Sequence, residues 1–358
     1  MHRLSYLRLS LFLSACAFLC SVAFSAPPQI DSAYGPLPVF ELHSGFWINL
    51  HHTLYDEARQ RGPAGSHSAK TSGAKPALQV SPEAKPNLSA TEQRSWDEAV
   101  SYYAANYADK DLLFSTELIL LKNQLGDFEE CNELSGANQK VCDAGLPAKL
   151  TQILEAAAPV YRAHQWPAHD RANRSWIRRV APLVREQGVG LSQRLADIYQ
   201  TRWPPEKIRV DVTAFANWAG AYTTLDPLRV TISSTDPRNQ GSAALEVLFH
   251  EASHGIAQPV QQAIIRECRQ REKAIPRDLW HALIFYTTGE VIKPVMNAES
   301  DDASGSTVSG EYTPYAKREG LYARGWENYL KLLTRYWQPY LDGHATFSDA
   351  IAHMVSAL

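Results

Sequence analysis

Apolar residues return at steps of three and four along most of this chain, and at steps of two along one short stretch. The first rhythm starts at Phe46, where Phe46, Leu50 and Leu54 mark one side of a helix through Tyr55. Over residues 59–91 it stops: Gly, Pro, Ser, Ala and Lys dominate, and the stretch reads as a flexible insertion. Trp96, Val100, Tyr103 and Tyr107 then define one helix, and residues 111–125 a second that is apolar on most faces. Residues 150–161 give a third, ended by Trp166 and Pro167. A fourth spans roughly 168–187, and Gly188-Val-Gly190 separates it from a fifth at 191–203. Past Trp203-Pro204-Pro205 the period changes to two. Ile208–Thr213, 218–224 and Leu228–Ser233 read as three short strands joined by tight turns, an antiparallel meander. Helical spacing resumes at Leu245 and persists through 279–292 and 319–358. The expected class is α+β, predominantly helical, with a small antiparallel sheet just ahead of the helix at 245.

That helix carries the chain's sharpest signal. Leu245, Leu248, Phe249, Ala252 and Ile256 make an apolar stripe. Asp236, Asn239 or Ser242 can cap its start, and Gly255 and Pro259 fit its end. Beside the stripe stands His250-Glu251-Ala252-Ser253-His254, the H-E-x-x-H pattern. His250 and His254 sit one turn apart on the same face and can reach one cation together. Glu251 lies next round the helix, where a carboxylate can take a proton from a water on that cation without ligating the metal. The plain alternative is a pair of ordinary histidines on a half-buried helix. His51 and His52 are adjacent, so they point in different directions and read as structural histidines.

At 358 residues the chain holds one large domain or two modest ones. The pattern divides it into a leader at 1–25, a mainly helical part at 26–203, and a part at 204–358 with the sheet, the motif and C-terminal helices. Hydrophobic and charged contents of 45% and 20% are those of an ordinary globular protein. A formal charge of -3 offers no general attraction to nucleic acid or anionic lipid. In the leader, Arg3 and Arg8 precede an apolar run, and Ala23-Phe24-Ser25 offers small residues for cleavage before Ala26. The run is short for a membrane span, and it continues past Cys16, which argues against a lipoprotein signal there. The expectation is an exported chain, periplasmic or secreted, with no stable span after cleavage. Of the 5 cysteines, Cys16 and Cys20 leave with the signal. Cys131 and Cys142 flank a polar loop and are expected to pair in an oxidising compartment, with Cys268 a packed thiol.

With a small sheet followed by an H-E-x-x-H helix, residues 208–290 resemble the zincin metallopeptidases. The chain is also similar to exported bacterial proteins that carry F-H-E-x-x-H and W-H-A-L-x-F-Y-T-x-G-E, here Phe249 to His254 and Trp280 to Glu290. The resemblance implies Zn2+ held by three protein ligands and a water. It also implies a cleft-side strand that pairs with an extended substrate, and Ala219, Gly220 and Ala221 would let a peptide come close. No third histidine follows His254 at the short metzincin spacing. Glu290 is the expected third ligand, a carboxylate in an apolar helix where it is costly without a partner. A zinc glutamate on a later helix is the gluzincin arrangement, with an inserted helix over 260–271 filling the longer spacing. Where many gluzincins carry an aspartate four residues on, this chain has Pro294. His281 is the alternative ligand. Nine residues apart, His281 and Glu290 face opposite sides of a straight helix and do not ligate together. Glu299, Asp301 and Asp302 lie in a polar stretch where solvent is partner enough. Tyr315, from a cluster with Tyr312, Tyr322, Arg318 and Arg324, is the expected oxyanion donor.

The expected function is an exported zinc-dependent metallohydrolase, most simply a peptidase, acting on a peptide or another amide or ester. His250, His254 and Glu290 would hold zinc, and Glu251 would activate the water. The rival is an exported helical binding protein with a structural zinc site, for which four protein ligands, His281 among them, would be the mark.

Overall fold

The computed structural model describes residues 37–61, 87–129, 131, 134, 145–302 and 311–358, and of 299–302 the backbone alone. The expectations for the leader, most of the insertion, Cys142, and the side chains of Glu299, Asp301 and Asp302 lie outside them. The molecule is α+β and mainly helical. Its sheet has four strands, β1 (Phe40–His43), β2 (Ile208–Thr213), β3 (Ala221–Leu225) and β4 (Leu228–Ser233), in the order β1-β2-β4-β3. Strands β1, β2 and β4 are parallel, and only β3 runs antiparallel, against β4. The sheet is therefore mixed, not the antiparallel meander that the spacing suggests. The connection from β2 passes the sheet end and re-enters at Gly220, whose φ of +84° suits glycine. That carries β3 to the far edge, and β4 returns between β2 and β3. Strand β1 comes from far upstream and is only four residues long, too short for a period to show.

Alternation divides the sheet into two unlike faces. Val210, Val212, Val230 and Ile232 are fully buried on one face. They share a core with α5 (Trp166–Ile198), α6 (Ser242–Ser253), α7 (Gln258–Gln270) and α8 (Leu279–Asp302). The other face carries Arg209, Asp211, Thr213, Arg229, Thr231, Tyr222 and Thr224, beneath α1 (Phe46–Arg61) and α3 (Thr116–Asp127). Lys122 of α3 is buried there and donates to Thr224 (2.9 Å). His52 bridges the Ile48 carbonyl (2.8 Å) and the Tyr222 hydroxyl (3.0 Å), and His51 meets Tyr103 (3.0 Å). Both are buried structural histidines; burial lowers the pKa of His52 to about 4. A second apolar cluster joins α1, α2 (Ala90–Asn106) and α4 (Ala148–His164).

Three boundaries differ from the sequence pattern. Helix α3 starts at Thr116 because Ser115 caps it, while Asp111 accepts from Leu113 in the preceding turn. Helix α5 runs unbroken through Gly188 and Gly190. A Cβ on Gly188 would stand 3.0 Å from Val39, so this glycine lets the chain before β1 lie on the helix. Burial of Val184, Leu191 and Leu195 outweighs a glycine penalty of about 1 kcal/mol. Helix α6 is capped by Gly241, without a side-chain bond. Of the expected caps, Asp236 instead caps the short turn Pro237–Asn239.

The C-terminal region completes the wall with α9 (Tyr315–Arg318), α10 (Glu327–Leu332), a π turn at Leu333–Trp337, α11 (Gln338–Leu341) and α12 (Phe347–Ser356). Residues Pro36–Leu358 form one compact unit. Strand β1 and helix α5 pack into the same core as α6 and α8. Cys131 is disulfide-bonded, and Cys268 is a buried free thiol. Among the described residues no helix is long and apolar enough to cross a membrane.

The two glycines of α5 should respond in opposite directions. Gly188→Leu should cost about 1–3 kcal/mol through its collision with Val39. Gly190, with open space around its Cβ position, should gain roughly 0.5–1 kcal/mol on mutation to Ala. Urea unfolding of the two variants measures both.

Candidate metal centre

Helix α6 is buried along its whole length. Leu245, Leu248, Phe249 and Ala252 face the core, which leaves Glu246, His250, Glu251 and His254 on the remaining surface of the helix. Helical hydrogen bonding ends at Ser253, but His254 keeps helical angles (φ −56°, ψ −35°), so the one-turn relation to His250 survives. Their ring centroids are 5.1 Å apart. The turn that follows depends on Gly255, where a Cβ would stand 2.5 Å from Leu228 at the start of β4.

The third group at this point is His281, in the first turn of α8. Its ring centroid lies 5.4 Å from that of His250 and 5.0 Å from that of His254. One ligand nitrogen from each of the three histidines lies within 4.8 Å of the other two. Glu290, the expected ligand, is not in this group. Nine residues beyond His281 and half a turn out of phase, it lines a cavity of about 220 Å³ with Arg194, Gln338 and Asp342. Burial raises its pKa, and Lys293 is the foremost charge opposing that shift. It is half-buried, with Lys293 as a neighbouring cation.

The cluster is walled by rings. Phe285 stacks on His250 at 3.5 Å, Trp280 stacks on His281 at 5.2 Å, and Trp326 meets His281 edge-on at 5.6 Å. Burial is the main cause that lowers the pKa of His254 to about 3 and of His281 to about 4, and it holds His250 well below the ordinary value. All three are therefore neutral near pH 7, as metal ligands must be. Nδ1 of His250 is buried without a hydrogen bond of ordinary geometry, although the Ile284 carbonyl weakly favours its protonated form. Three neutral imidazoles with a nitrogen each within 4.8 Å of the others fit a divalent cation of the zinc type. The donors among the described residues number three, one fewer than a tetrahedral ion takes.

Glu251 sits beside the cluster, its Oε2 4.0 Å from Nε2 of His254. Thr223 of β3 holds it: the hydroxyl lies 2.7 Å from Oε2 and 2.8 Å from the Glu251 carbonyl. Burial pushes the Glu251 carboxyl up to about 7. Tyr315 is buried at the start of α9, its ring parallel to Phe285 at 6.0 Å. Burial raises its phenol to about 12, with Arg238 opposing and Glu251 among the neighbouring charges. Two polar residues here escape a motif search. Thr223 points to the α6 face because Tyr222 and Thr224 point away, so strand alternation alone could have flagged it. Glu246 lies one turn before His250, in phase with the motif, and burial raises its carboxyl to about 7. Comparison with known protein families, curated proteins and solved structures returns no match.

The burial of this cluster predicts how the chelated, metal-free protein responds to acid. His254 and His281 take protons near pH 3 and 4 when folded but near 6.5 when unfolded. Each therefore withdraws stability as pH falls below about 6.5, until its folded pKa is passed. Glu251 acts oppositely: its folded value near 7 exceeds the unfolded 4.5, so acidification across that window favours the folded state. In urea unfolding between pH 7 and 4, His254→Gln should gain on the wild type steadily as pH falls. Parallel pH profiles would contradict the burial account.

Proposed function

We propose that the chain is an exported zinc-dependent metallohydrolase of the zincin kind, most simply a peptidase. The observation that carries this reading is the convergence of His250, His254 and His281, with nitrogens within 4.8 Å of one another and Glu251 alongside. In it, His250, His254 and His281 hold the zinc, with His281 in the place that the sequence pattern gave to Glu290. When bound, such an ion supplies Lewis-acid chemistry, acidifying a water and polarising a carbonyl.

Glu251 takes the proton from the attacking water and returns it to the leaving group. Thr223 engages Oε2, which leaves Oε1 for that transfer. A carboxyl pushed up to about 7 can both accept and give back a proton at neutral pH. Tyr315, whose phenol stays protonated at that pH, donates to the oxygen that gains charge. Strand β3 is a sheet edge beside α6 and can take an extended segment as one further strand. Peptide is the simplest substrate of this kind, and the same water chemistry serves other amides and esters. Export rests on the leader pattern, and a bonded Cys131 agrees with an oxidising compartment. A structural zinc site in a binding protein would need a fourth side-chain ligand, and the cluster among the described residues has three.

Metal analysis of purified mature protein should find close to one zinc per chain. His281→Ala should lower that occupancy sharply, whereas Glu290→Ala should leave it intact; the reverse pattern would restore Glu290 as ligand. Glu251→Gln should keep the zinc and lose about 100-fold or more in hydrolysis of a mixed peptide library. Full activity in that variant would remove the mechanism.

A further inference from the structure

Glu246 is a buried carboxylate on the motif helix that the mechanism above does not use. Its two oxygens accept from three donor contacts. The Tyr315 amide lies 2.9 Å from Oε1 and 2.8 Å from Oε2, and the Tyr312 hydroxyl lies 2.6 Å from Oε2. Both donors belong to the segment that leads over α6 and α8 into the first residue of α9. The same segment is tied to α8 by Asn297, which accepts from the Tyr312 amide (2.7 Å), and by Lys293, paired with Glu311 (2.5 Å). Gly289 makes room for it: a Cβ there would stand 2.6 Å from Pro314 and 3.2 Å from Glu246 Oε1.

We propose that Glu246 is a positioning residue, whose carboxylate sets the placement of Tyr315 against the histidine cluster. A buried carboxylate is costly and is kept only where its acceptors are used. Both oxygens are needed here, because the bifurcated contact from the Tyr315 amide and the Tyr312 hydroxyl are all donors. Glutamine, almost the same shape, would turn an NH2 group against one of them. Glu246 also stands one turn before His250 on the same rigid helix, so the height of the Tyr315 backbone is referred to the metal ligands themselves. From Tyr315 the contact continues through parallel rings, Tyr315 on Phe285 (8° between planes) and Phe285 on His250 (16°). The anchoring stands on this geometry; only its kinetic consequence rests on the hydrolase reading.

The test uses the full mature chain with its metal. In Glu246→Gln, zinc content should stay at the wild-type level. Hydrogen exchange in peptides spanning 311–320 should speed up about tenfold or more, with peptides from α6 unchanged. For a cleaved peptide, kcat should fall about 10–100-fold with KM within roughly threefold. The double variant Glu246→Gln/Tyr315→Phe should be no slower than Tyr315→Phe alone, since the two act through one group. Unchanged exchange in 311–320, or multiplicative losses in the double variant, would overturn the proposal. If Glu246→Gln does not fold, Tyr312→Phe removes one of the contacts without touching α6 and should give a smaller change in the same exchange readout. If the wild type cleaves nothing, the hydrolase reading falls, while the exchange result still decides the anchoring.

Discussion

Everything in this molecule depends on α6 being buried on all sides while carrying four polar groups on one flank. Glu246, His250 and Glu251 are buried and His254 is largely so, and partners come from other elements. Thr223 on β3 meets Glu251, and the chain before α9 meets Glu246. The histidines meet His281 on α8 and a wall of rings. Thus the edge strand and the C-terminal segment are held to α6 by polar contacts as well as by apolar packing, and α8 brings His281 to the motif histidines. The site and the core are one structure.

The sheet shows why the helix can be held this way. Its strands carry valine and isoleucine on one face and arginine, aspartate, lysine-binding threonine and tyrosine on the other. On the polar face Arg209 pairs with buried Asp211 (2.7 Å), and Arg229 reaches Asp127 (2.6 Å). A one-residue slip of any strand would put these charges against α6 and its core, at a cost of several kcal/mol per buried unpaired charge. The polar layer therefore selects which face the motif helix packs on. It also gives His52 a partner in Tyr222 of the sheet, while His51 turns to Tyr103 of α2.

How much of this was legible follows from the range of each signal. The H-E-x-x-H helix and its apolar stripe are local, and both stand where the period puts them. The three strands after residue 207 are also local, but their order is not: β4 sits between β2 and β3, and β1 arrives from about 165 residues upstream. Gly188 and Gly190 looked like a break because glycine weakens a helix, whereas the reason for Gly188, contact with Val39, lies across the fold. That His281 and not Glu290 comes together with the motif histidines was hidden for a similar reason. Phase showed that the two face opposite ways on one helix, but which side of α8 lies on α6 is a tertiary fact. Glu290 is half-buried beside a cavity that Arg194 also lines, with Lys293 as a neighbouring cation, a setting that an apolar stretch of sequence does not reveal.

One physical cause, burial, gives the groups of this cluster opposite protonation behaviour. Desolvation disfavours charge, so it lowers imidazoles and raises carboxyls. His254 and His281 are pushed to about 3 and 4, and Glu251 is pushed to about 7. Near neutral pH no proton competes with a cation for the histidines, so a metal would be held with little dependence on pH until well into the acid range. Exposed imidazoles would begin to lose it near 6.5. Glu251, by contrast, is brought to the pH where a proton can move either way. Burial thus keeps the ligands neutral and poises the base at the same pH.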